Sequence, residues 1–458
     1  MTTTLATPGL RTLAVHDPAT TEVIAEVPDH TPAEAIAAVD TAAGALPGWA
    51  ATPPRTRAEV LRRAHELMLA DADRLAALIT AENGKSDADA RAEVGYAAEF
   101  FRWFSEEAVR SEGDYTVAPA GGVRNLVTHR PVGVAALVTP WNFPAAMATR
   151  KIGPALAAGC TVVLKPAAET PLTALAIGEL LTEAGVPDGV VSVVPTSSPA
   201  DVVTAWLTDD RVRKISFTGS TGVGRQLLHQ AADRVLNASM ELGGNAPFIV
   251  TADADLDAAV AGAMIAKFRN AGQACTAANR FLVHTDVAEE FVARIGALVE
   301  DLEVAPLISA RAVDGVAALV AEAVAAGATI THTGPTGAGG WRHPAVVLTD
   351  VHAQMRISRE EIFGPVVAVQ TWTDEAEMLA AANDSEFGLA AYVYAGRLQD
   401  ALRIAESLEA GMVGVNRGVV SDPSAPFGGV KQSGIGREGA RDGIREFTET
   451  QYFSVDWS

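Results

Sequence analysis

Residues 132–168, VGVAALVTPWNFPAAMATRKIGPALAAGCTVVLKPAA, carry the pattern that decides the fold. Two apolar runs, Val132 to Val138 and Thr161 to Leu164, lie on either side of a segment long enough for a helix. The pattern continues at Val190 to Val194, Lys214 to Phe217 and Pro247 to Val250, and helix-length segments separate most of these runs. Apolar runs that alternate with helices predict an α/β fold with a parallel sheet and crossover helices.

The polar residues that follow three of these runs predict a binding site. They are Thr139-Pro140-Trp141-Asn142, Lys165-Pro166-Ala167-Ala168 and Thr218-Gly219-Ser220-Thr221-Gly222. Because ligands bind beyond the carboxyl ends of parallel strands, these residues indicate a phosphate-bearing cofactor. The segment from Gly219 to Gly224 departs from the G-x-G-x-x-G motif, but its N–H groups, at the start of a helix, are able to bind a pyrophosphate. An ordinary capped turn and a solvated Lys165 are the alternatives.

Length and composition limit the class of protein. A chain of 458 residues exceeds what one hydrophobic core serves, so we expect two or more domains. Apolar residues at helical spacing from Val60 to Ile79 predict a helical, supporting region that ends at Asn83-Gly84. The net charge of -21 argues against nucleic acid or an anionic membrane as the main partner, because both require clustered Lys and Arg.

The compartment is predicted from cysteine content and apolar runs. Two cysteines cannot form a disulfide framework, and Met1 to Thr20 lacks the pattern of a secretion signal. Every apolar stretch is interrupted well before the length of a membrane span. We therefore expect a cytoplasmic protein.

One of the two cysteines is a candidate nucleophile. Cys275 lies in Asn270-Ala271-Gly272-Gln273-Ala274-Cys275-Thr276, where small and polar neighbours allow a substrate carbonyl to approach the sulfur. Upstream, Glu241 in Glu241-Leu242-Gly243-Gly244-Asn245 is a candidate general base for the thiol or for a hydrolytic water. A buried core position is the common alternative for a cysteine, and we predict it for Cys160, which precedes an apolar run.

Several sequence blocks in the same order resemble the aldehyde dehydrogenase superfamily, from about Asp17 to Tyr452. The blocks are Thr139-Pro140-Trp141-Asn142-Phe143-Pro144, Phe217-Thr218-Gly219-Ser220, Glu241-Leu242-Gly243-Gly244, Gly272-Gln273-Ala274-Cys275, Glu360-Glu361-Ile362-Phe363-Gly364-Pro365 and Pro426-Phe427-Gly428-Gly429-Val430-Lys431-Gln432-Ser433-Gly434. The family fold combines a Rossmann-type cofactor-binding domain, an α/β catalytic domain and a small β oligomerisation arm. The resemblance implies a cofactor-binding domain at residues 1–110 and 131–242, a catalytic domain at 243–443, an arm at 111–130 and 444–458, and a homodimer or homotetramer.

The resemblance also implies a role for each residue of the site. Cys275 attacks the aldehyde, Asn142 and the Cys275 backbone N–H stabilise the oxyanion, and hydride passes to NAD or NADP. Glu241 then activates the water that hydrolyses the thioester. The residues expected to contact the cofactor are Thr139, Trp141, Asn142, Lys165, Ala168, Gly219, Ser220, Leu242, Glu361 and Phe363. No metal site is expected.

Cofactor preference is predicted from the residues after Lys165. Many NAD-preferring relatives carry a carboxylate three residues after this lysine, where it binds the adenosine ribose and repels a 2′-phosphate. This chain has Ala168 there, and Glu169 is displaced by one position. We expect the enzyme to use both NAD and NADP, with a slight preference for NADP.

Within the family, the sequence most resembles succinate-semialdehyde dehydrogenases, which bind the distal carboxylate with two arginines and a serine. The matching residues are Arg150, Arg269 and Ser421, and a planar guanidinium is suited to bind a carboxylate bidentately. A structural salt bridge is the alternative for each arginine. Glutarate semialdehyde or another aldehyde is the alternative substrate.

Some superfamily relatives are non-catalytic and serve as structural or lens-type proteins, and others acylate coenzyme A or reduce acyl phosphates. The presence of both Glu241 and Cys275 favours hydrolytic oxidation over these alternatives. Two segments depart from the family pattern: a Gly-rich turn near the expected adenine pocket is Pro195-Thr196-Ser197-Ser198-Pro199 here, and a second loop is shortened to Glu300-Asp301-Leu302-Glu303-Val304-Ala305. We expect the second to be a trimmed surface loop, which costs little in stability.

Overall fold

The computed structural model describes residues 11–110 and 112–457, together with the backbone of Thr3 and Thr4. The elements up to residue 241 are β1 (Thr3–Thr4), β2 (Thr12–His16), β3 (Val23–Pro28), α1 (Pro32–Ala51), α2 (Pro54–Ala70), α3 (Ala72–Asn83), α4 (Asp87–Glu107), β4 (Asp114–Val117), β5 (Val123–Pro131), β6 (Val134–Val138), α5 (Pro144–Ala158), β7 (Thr161–Lys165), α6 (Pro171–Ala184), β8 (Val191–Val193), α7 (Pro199–Thr208), β9 (Val212–Thr218), α8 (Thr221–Ala232) and β10 (Asn237–Glu241).

The rest of the chain forms a second α/β unit followed by short strands. Its elements are β11 (Ala246–Val250), α9 (Leu256–Phe268), a 3-10 turn (Arg269–Gly272), β12 (Ala278–His284), α10 (Thr285–Glu300), α11 (Ala310–Ala325), β13 (Thr329–Thr333), β14 (Val346–Thr349), α12 (Arg356–Arg359), β15 (Val366–Trp372), α13 (Glu375–Asn383), β16 (Phe387–Gly388), β17 (Ala390–Tyr394), α14 (Leu398–Glu406), β18 (Met412–Val415), β19 (Val430–Lys431), β20 (Gly434–Ile435), α15 (Asp442–Arg445) and β21 (Thr448–Asp456).

The first large sheet contains the predicted parallel strands. Its order is β20-β10-β9-β6-β7-β8, and every pair except β10 with β20 is parallel. From β6 the chain adds β7 and β8 on one side and then β9 and β10 on the other, so the order reverses between β6 and β9. In doubly wound sheets a ligand crevice opens beyond the carboxyl ends of the strands at such a reversal.

The predicted apolar runs are confirmed as strands, with shifted ends. The predicted run from Val190 to Val194 forms the shorter strand β8, Val191–Val193. Val132 and Gly133 form the connection from β5 to β6 and do not belong to a strand. Gly133 has a φ of +128°, which favours glycine and turns the chain between the two strands. The alternation of helices and parallel strands confirms the predicted α/β class.

The second large sheet has the order β13-β14-β15-β12-β11-β17-β18, and only the pair of β13 and β14 is antiparallel. Its strands β11 and β12 pair in parallel from Ala246 opposite Ala278. The loops that precede these two strands are therefore neighbours. One is residues 242–245, directly after Glu241, and the other is residues 273–277 and contains Cys275, so the sheet brings the two candidate catalytic segments together.

The third sheet is antiparallel, in the order β21-β5-β4. Large apolar side chains are exposed on it, among them Tyr115, Tyr452, Phe453 and Trp457. The three strands lie where the oligomerisation arm is expected. Strand β20 pairs with β10, so the chain returns to the first sheet after residue 243. The domain boundaries and the assembly role stay predictions.

The helical region before the sheets consists of separate helices. The periodic stretch from Val60 to Ile79 forms α2 and α3, which meet at Asp71, and α3 ends at Asn83 as predicted. Gly84 takes a φ of +83° and provides the left-handed cap. Helix α4 packs against α2 and α5, and so reaches the site described below. None of the helices in the described part of the chain is both long and apolar enough to span a membrane.

Candidate active site

Cys275 follows a turn of unusual backbone shape. Asn270, Ala271 and Gly272 have φ angles of +51°, +54° and +76°. A Cβ on Gly272 would lie 2.3 Å from the carbonyl oxygen of Gly364, so both the angle and the space demand glycine. This turn places Cys275 half-buried between two cavities.

The two cavities differ in the segments that line them. The first has a volume of about 600 Å³, and its lining includes Tyr96, Phe143, Arg150, Arg269, Cys275 and Ser421. The second has a volume of about 720 Å³, and its lining includes Trp141, Asn142, Gly219, Ser220, Leu242, Cys275, Glu361 and Phe363. Cys275 belongs to both linings. We call the first the substrate-side cavity and the second the cofactor-side cavity.

Asn142 lies beyond the carboxyl end of β6 and is fixed by hydrogen bonds. Its Nδ2 donates to the carbonyl oxygen of Gln273 at 3.1 Å. Its own carbonyl oxygen accepts from Lys85 Nζ and from Asn270 Nδ2, each at 2.9 Å. Because Asn270 and Gln273 belong to the Cys275 loop, these bonds tie the asparagine directly to that loop.

Glu241 ends β10 and is buried close to the cysteine loop. A Cβ on the nearby Gly244 would lie 2.4 Å from the carbonyl oxygen of Cys275, which shows how closely the two loops pack. The Oε2 of Glu241 has no hydrogen-bond partner among the described residues. Burial, with the charge of Glu438, raises the pKa of Glu241 well above its usual value.

Burial also raises the pKa of Cys275, to about 12. The positive charge of Arg150 opposes this effect but does not outweigh it. The resting site therefore holds a neutral thiol next to a carboxyl group that binds protons strongly. A carboxylate with an unpartnered oxygen and a raised pKa is a stronger base than an ordinary glutamate, and so is suited to accept a proton.

The two predicted substrate arginines have different surroundings. Arg150 is buried and pairs with Glu438, although the contact is poorly aligned for a hydrogen bond. Its guanidinium carbon lies 4.0 Å from the centroid of the Phe427 ring. Arg269 is half-buried, makes no ion pair with a described residue, and lies 5.2 Å from the Phe143 ring centroid. Ser421 is half-buried in the same cavity.

Glu438 forms a buried cluster with the two basic residues of α5. Lys151 Nζ donates to its carboxylate and also to Ser216 Oγ at 2.9 Å. Burial favours the protonated form of Glu438, but the charges of Lys151 and Arg150 outweigh it and hold its pKa below the usual value. The charge of Arg150 is thus balanced inside the protein, whereas that of Arg269 is available to the cavity.

On the cofactor side, Glu361 and two aromatic residues lie close to Cys275. Glu361 Oε1 accepts from the Gly244 N–H at 3.1 Å, and burial raises the pKa of this carboxyl to about 7. The rings of Trp141 and Phe363 meet edge to face with centroids 5.4 Å apart. A Cβ on Gly219 would lie 2.4 Å from the Phe217 ring, so the ring or the turn before α8 would have to shift to accept a side chain there.

The remaining predicted cofactor residues lie along the same sheet edge. Ser220 is the exposed N-cap of α8, and its hydroxyl makes no capping bond. The Thr139 N–H donates to the Lys165 carbonyl oxygen at 3.1 Å, so the ends of β6 and β7 are adjacent. Thr139, Lys165 and Ala168 do not line the cofactor-side cavity. Burial lowers the pKa of Lys165 to about 8, and Glu169 partly opposes this effect.

The two segments that depart from the family pattern, residues 195–199 and 300–305, are held by hydrogen bonds to neighbouring segments of the fold. The Asp29 carboxylate accepts from the Ser197 N–H and hydroxyl, each at 2.8 Å, and Thr196 Oγ1 donates to the His30 carbonyl oxygen. These bonds fasten the Pro195 to Pro199 segment to the end of β3. In the shortened loop, Arg342 donates to the Val304 carbonyl oxygen at 3.1 Å.

Sequence reasoning missed several residues of the site. Tyr96 on α4 lines the substrate-side cavity near Arg150, Arg269 and Ser421. Phe427 lies in one of the family blocks, but the sequence predicts no role for it, and no local sequence pattern indicates a role for Glu438. Cys160 is buried as predicted, and its thiol donates to the Phe447 carbonyl oxygen at 3.3 Å. Within the described residues, no group of His, Cys, Asp and Glu side chains is arranged to hold a metal ion.

Comparison with known proteins agrees with this geometry. The sequence model of the aldehyde dehydrogenase family matches residues 6–453. A succinate-semialdehyde dehydrogenase of Paenarthrobacter nicotinovorans is 51% identical, over 94% of this chain and 99% of the relative. A glutarate-semialdehyde dehydrogenase of Pseudomonas aeruginosa is 48% identical, over 97% and 94%. An NADP(+) succinate-semialdehyde dehydrogenase of Escherichia coli is 46% identical, over 96% and 94%.

A solved structure gives the same result for the fold. The crystal structure of an aldehyde dehydrogenase from Brucella melitensis biovar abortus 2308 matches with a TM-score of 0.96 at 47% identity, over 98% of this chain and 94% of that one. The predicted resemblance and the predicted fold are both confirmed. The chain belongs to the aldehyde dehydrogenase family and is an NAD(P)-dependent aldehyde dehydrogenase.

Proposed function

We propose that this enzyme oxidises succinate semialdehyde to succinate through a covalent intermediate on Cys275. The observation that carries the proposal is the position of Cys275 between the two cavities. One cavity offers the unpaired guanidinium of Arg269 and the hydroxyl of Ser421 to a distal carboxylate. The other has the strand ends and glycine turns of a nucleotide site. An aldehyde carbon bonded to the Cys275 sulfur is then accessible from the substrate-side cavity and from the cofactor-side cavity.

The chain's own residues account for most of the chemistry. The Cys275 sulfur bonds to the aldehyde carbon, its proton passes to a base, and a thiohemiacetal forms. The free hydrogen of Asn142 Nδ2 and the Cys275 backbone N–H stabilise the oxyanion, and each such donor contributes roughly 3 kcal/mol in the transition state. Glu241 accepts a proton from water through its unpartnered Oε2, and this water hydrolyses the thioester to acid and free thiol.

The residues present fit a nicotinamide dinucleotide. Ser220 leaves the first N–H groups of α8 without a side-chain cap, which suits a phosphate at the helix start. Glu361 would accept from a ribose hydroxyl, and Phe363 and Trp141, which line the same cavity, would contact the nicotinamide ring. When bound, NAD or NADP accepts the hydride that converts the thiohemiacetal into a thioester.

Dual use of NAD and NADP is proposed from the residues around Lys165. Ala168 places no carboxylate three residues after this lysine, and Glu169 is exposed beside it. A cationic lysine attracts a 2′-phosphate, so a slight preference for NADP follows. The ratio of kcat/KM for the two cofactors is the test. A preference for NAD above about a hundredfold, or roughly 3 kcal/mol, contradicts the proposal.

Glutarate semialdehyde is the second candidate, because a relative of that name is 48% identical to this chain. The experiment that tests the function compares kcat/KM for succinate semialdehyde, glutarate semialdehyde and butanal, with and without coenzyme A. We expect succinate semialdehyde to be the best of the three and coenzyme A to have no effect. A preference for butanal contradicts the carboxylate assignment, and no reduced cofactor with any aldehyde contradicts the enzyme assignment.

We infer that the exposed third sheet joins subunits in a cytoplasmic homodimer or homotetramer. Its support is the exposed apolar side chains on β4 and β21. Light scattering of the purified protein gives the mass directly, and a monomer at micromolar concentration contradicts the inference.

A further inference from the structure

A buried ion pair lies directly behind Asn142. Lys85, in the connection between α3 and α4, has a side chain that is 0% exposed, and its partner Glu93 on α4 is 1% exposed. The Lys85 Nζ donates to the Glu93 carboxylate and to the Asn142 carbonyl oxygen at 2.9 Å. It also lies 4.2 Å from the centroid of the Phe143 ring. Apart from Glu93, the lysine therefore contacts Asn142 and Phe143, and this segment carries the proposed oxyanion donor.

Glu93 holds the next residues of the same segment. Its Oε1 accepts from the N–H groups of Ala145 at 2.9 Å and Ala146 at 3.3 Å, at the start of α5. The N-cap residue of this helix, Phe143, provides no side-chain cap. Glu93 thus supplies the cap from a different helix.

The pair is poorly explained as a source of stability. Replacing a buried ion pair with apolar residues is often neutral or stabilising, because both charges lose their hydration. Yet here the two side chains direct four polar contacts to residues 142–146 and each other. Asn270 of the cysteine loop donates to the same Asn142 carbonyl oxygen as Lys85, and the Asn142 side chain donates to the Gln273 carbonyl oxygen. The ion pair and the cysteine loop therefore hold the asparagine together.

We propose that Lys85 and Glu93 are positioning residues that fix the Asn142 side chain at the distance from Cys275 that the oxyanion requires. The proposal rests on the proposed role of Asn142 as oxyanion donor. Such donors act because they are oriented before the reaction begins. A displacement of about 1 Å is enough to lower the rate roughly a hundredfold. Lys85 lines neither cavity, whereas Glu93 lines the substrate-side cavity, so it is the effect of Lys85 that passes through Asn142.

A double-mutant cycle tests this coupling. Four enzymes are compared: wild type, Lys85→Met, Asn142→Ala and the double variant. The measured quantity is kcat/KM for butanal at saturating NADP, because an uncharged aldehyde does not depend on the carboxylate site. We expect Lys85→Met to lower it about tenfold or more in the wild-type background, and less than about twofold in the Asn142→Ala background. Equal factors in the two backgrounds overturn the proposal, because a merely structural lysine affects both alike.

Two further enzymes keep the test decisive. Lys214 is another fully buried lysine, bonded to Asn237 and Ser239 away from Asn142, and Lys214→Met is the matched control. We expect it to leave kcat/KM nearly unchanged. Removal of Lys85 alone leaves Glu93 as an unpaired buried charge. If that variant does not fold, Lys85→Met with Glu93→Gln removes both charges and keeps an oxygen for the α5 N–H groups, and the same non-additivity is expected.

The outcome for Asn142→Ala separates the two proposals. A loss of about a hundredfold or more supports its oxyanion role, and the cycle then decides on the ion pair alone. If Asn142→Ala keeps at least about half of the wild-type kcat/KM, the oxyanion role is wrong, and the positioning role of Lys85 and Glu93 is wrong with it.

Discussion

The substrate-side and cofactor-side cavities share Cys275 but are built in different ways. The substrate side is lined by charged and aromatic side chains from four separate segments, including Tyr96, Arg150, Arg269 and Ser421. The cofactor side is lined by strand ends and glycine turns, with Glu361 as its carboxylate. Recognition on the first side depends on a few charges. On the second side it depends on backbone shape.

The two arginines refine this difference. Arg150 and Arg269 line the same cavity, but Glu438 balances the charge of Arg150, whereas no described acid pairs with Arg269. A charge that is already paired has less to offer a ligand. We therefore expect Arg150 to act as a structural arginine and Arg269 as a recognition arginine, and we expect substitution of Arg269 to change specificity.

The largest expected effect removes the proposed nucleophile, which lines both cavities. Cys275→Ala should lower aldehyde oxidation to well below about a tenth of the wild-type rate, because no other nucleophile replaces the sulfur. Binding of NADP, measured by calorimetry, should persist, since other residues line the cofactor side. Cys160→Ala is the control, because Cys160 is buried away from both cavities. A Cys275→Ala enzyme with a tenth or more of the activity contradicts the mechanism.

The next effect concerns hydrolysis and its pH dependence. Glu241→Gln should slow steady-state turnover about a hundredfold while the first turnover still produces reduced cofactor as a burst. Because the pKa of Glu241 is raised, the carboxylate form increases as the pH rises through that value. Wild-type turnover should therefore rise with pH where hydrolysis limits it, and the glutamine variant should lose this rise. A slow first turnover would instead assign Glu241 to the attack of the thiol.

Specificity distinguishes the two arginines. Arg269→Ala should lower kcat/KM for succinate semialdehyde by about 1.5–3 kcal/mol, roughly ten- to a hundredfold, and leave butanal nearly unchanged. Arg150→Ala should damage both substrates and lower the melting temperature, because it leaves Glu438 unpaired. Equal damage to both substrates by Arg269→Ala would show that Arg269 is structural, and the function would then be an aldehyde dehydrogenase of another specificity.

The smallest effect tests backbone shape on the cofactor side. Gly219→Ala places a methyl group 2.4 Å from the Phe217 ring, so the ring or the turn must shift, and we expect the Kd for NADP to rise several-fold. Gly315→Ala, in α11, meets no atom within 4 Å, lies outside the linings of both cavities and is the matched control. Titration of both variants measures the difference. Equal affinities would mean that the turn tolerates a side chain and that shape does not govern this cavity.

The sequence predicted the elements well where the signal is local. Apolar runs located β6, β7, β9 and β11, and the glycines after Thr218 located the start of α8. The grouping of Arg150, Arg269 and Ser421 in one cavity followed from family resemblance, because spacing along the chain does not place three distant segments together. The structure supports that grouping.

Partners that lie far apart in sequence were not predictable. Glu438 lies 287 positions after Lys151, the neighbour of Arg150, and the chain returns to this region through β20. Glu93 looks like an ordinary polar residue of a helix, and only the packing of α4 on α5 buries it against the first N–H groups of α5. Asp29 likewise compensates for the altered turn at Pro195 through contacts made in the folded state. Side-chain pairing of this kind depends on tertiary contacts that local patterns do not contain.

The position of Cys275 between the two cavities is tested most directly by trapping the covalent intermediate. The Glu241→Gln enzyme is mixed with succinate semialdehyde and NADP, quenched in acid, digested and analysed by mass spectrometry. The proposed mechanism predicts a succinyl group on the peptide that contains Cys275, and none when NADP is omitted. A succinyl group on another residue, or full release of succinate without any adduct on Cys275, would contradict it.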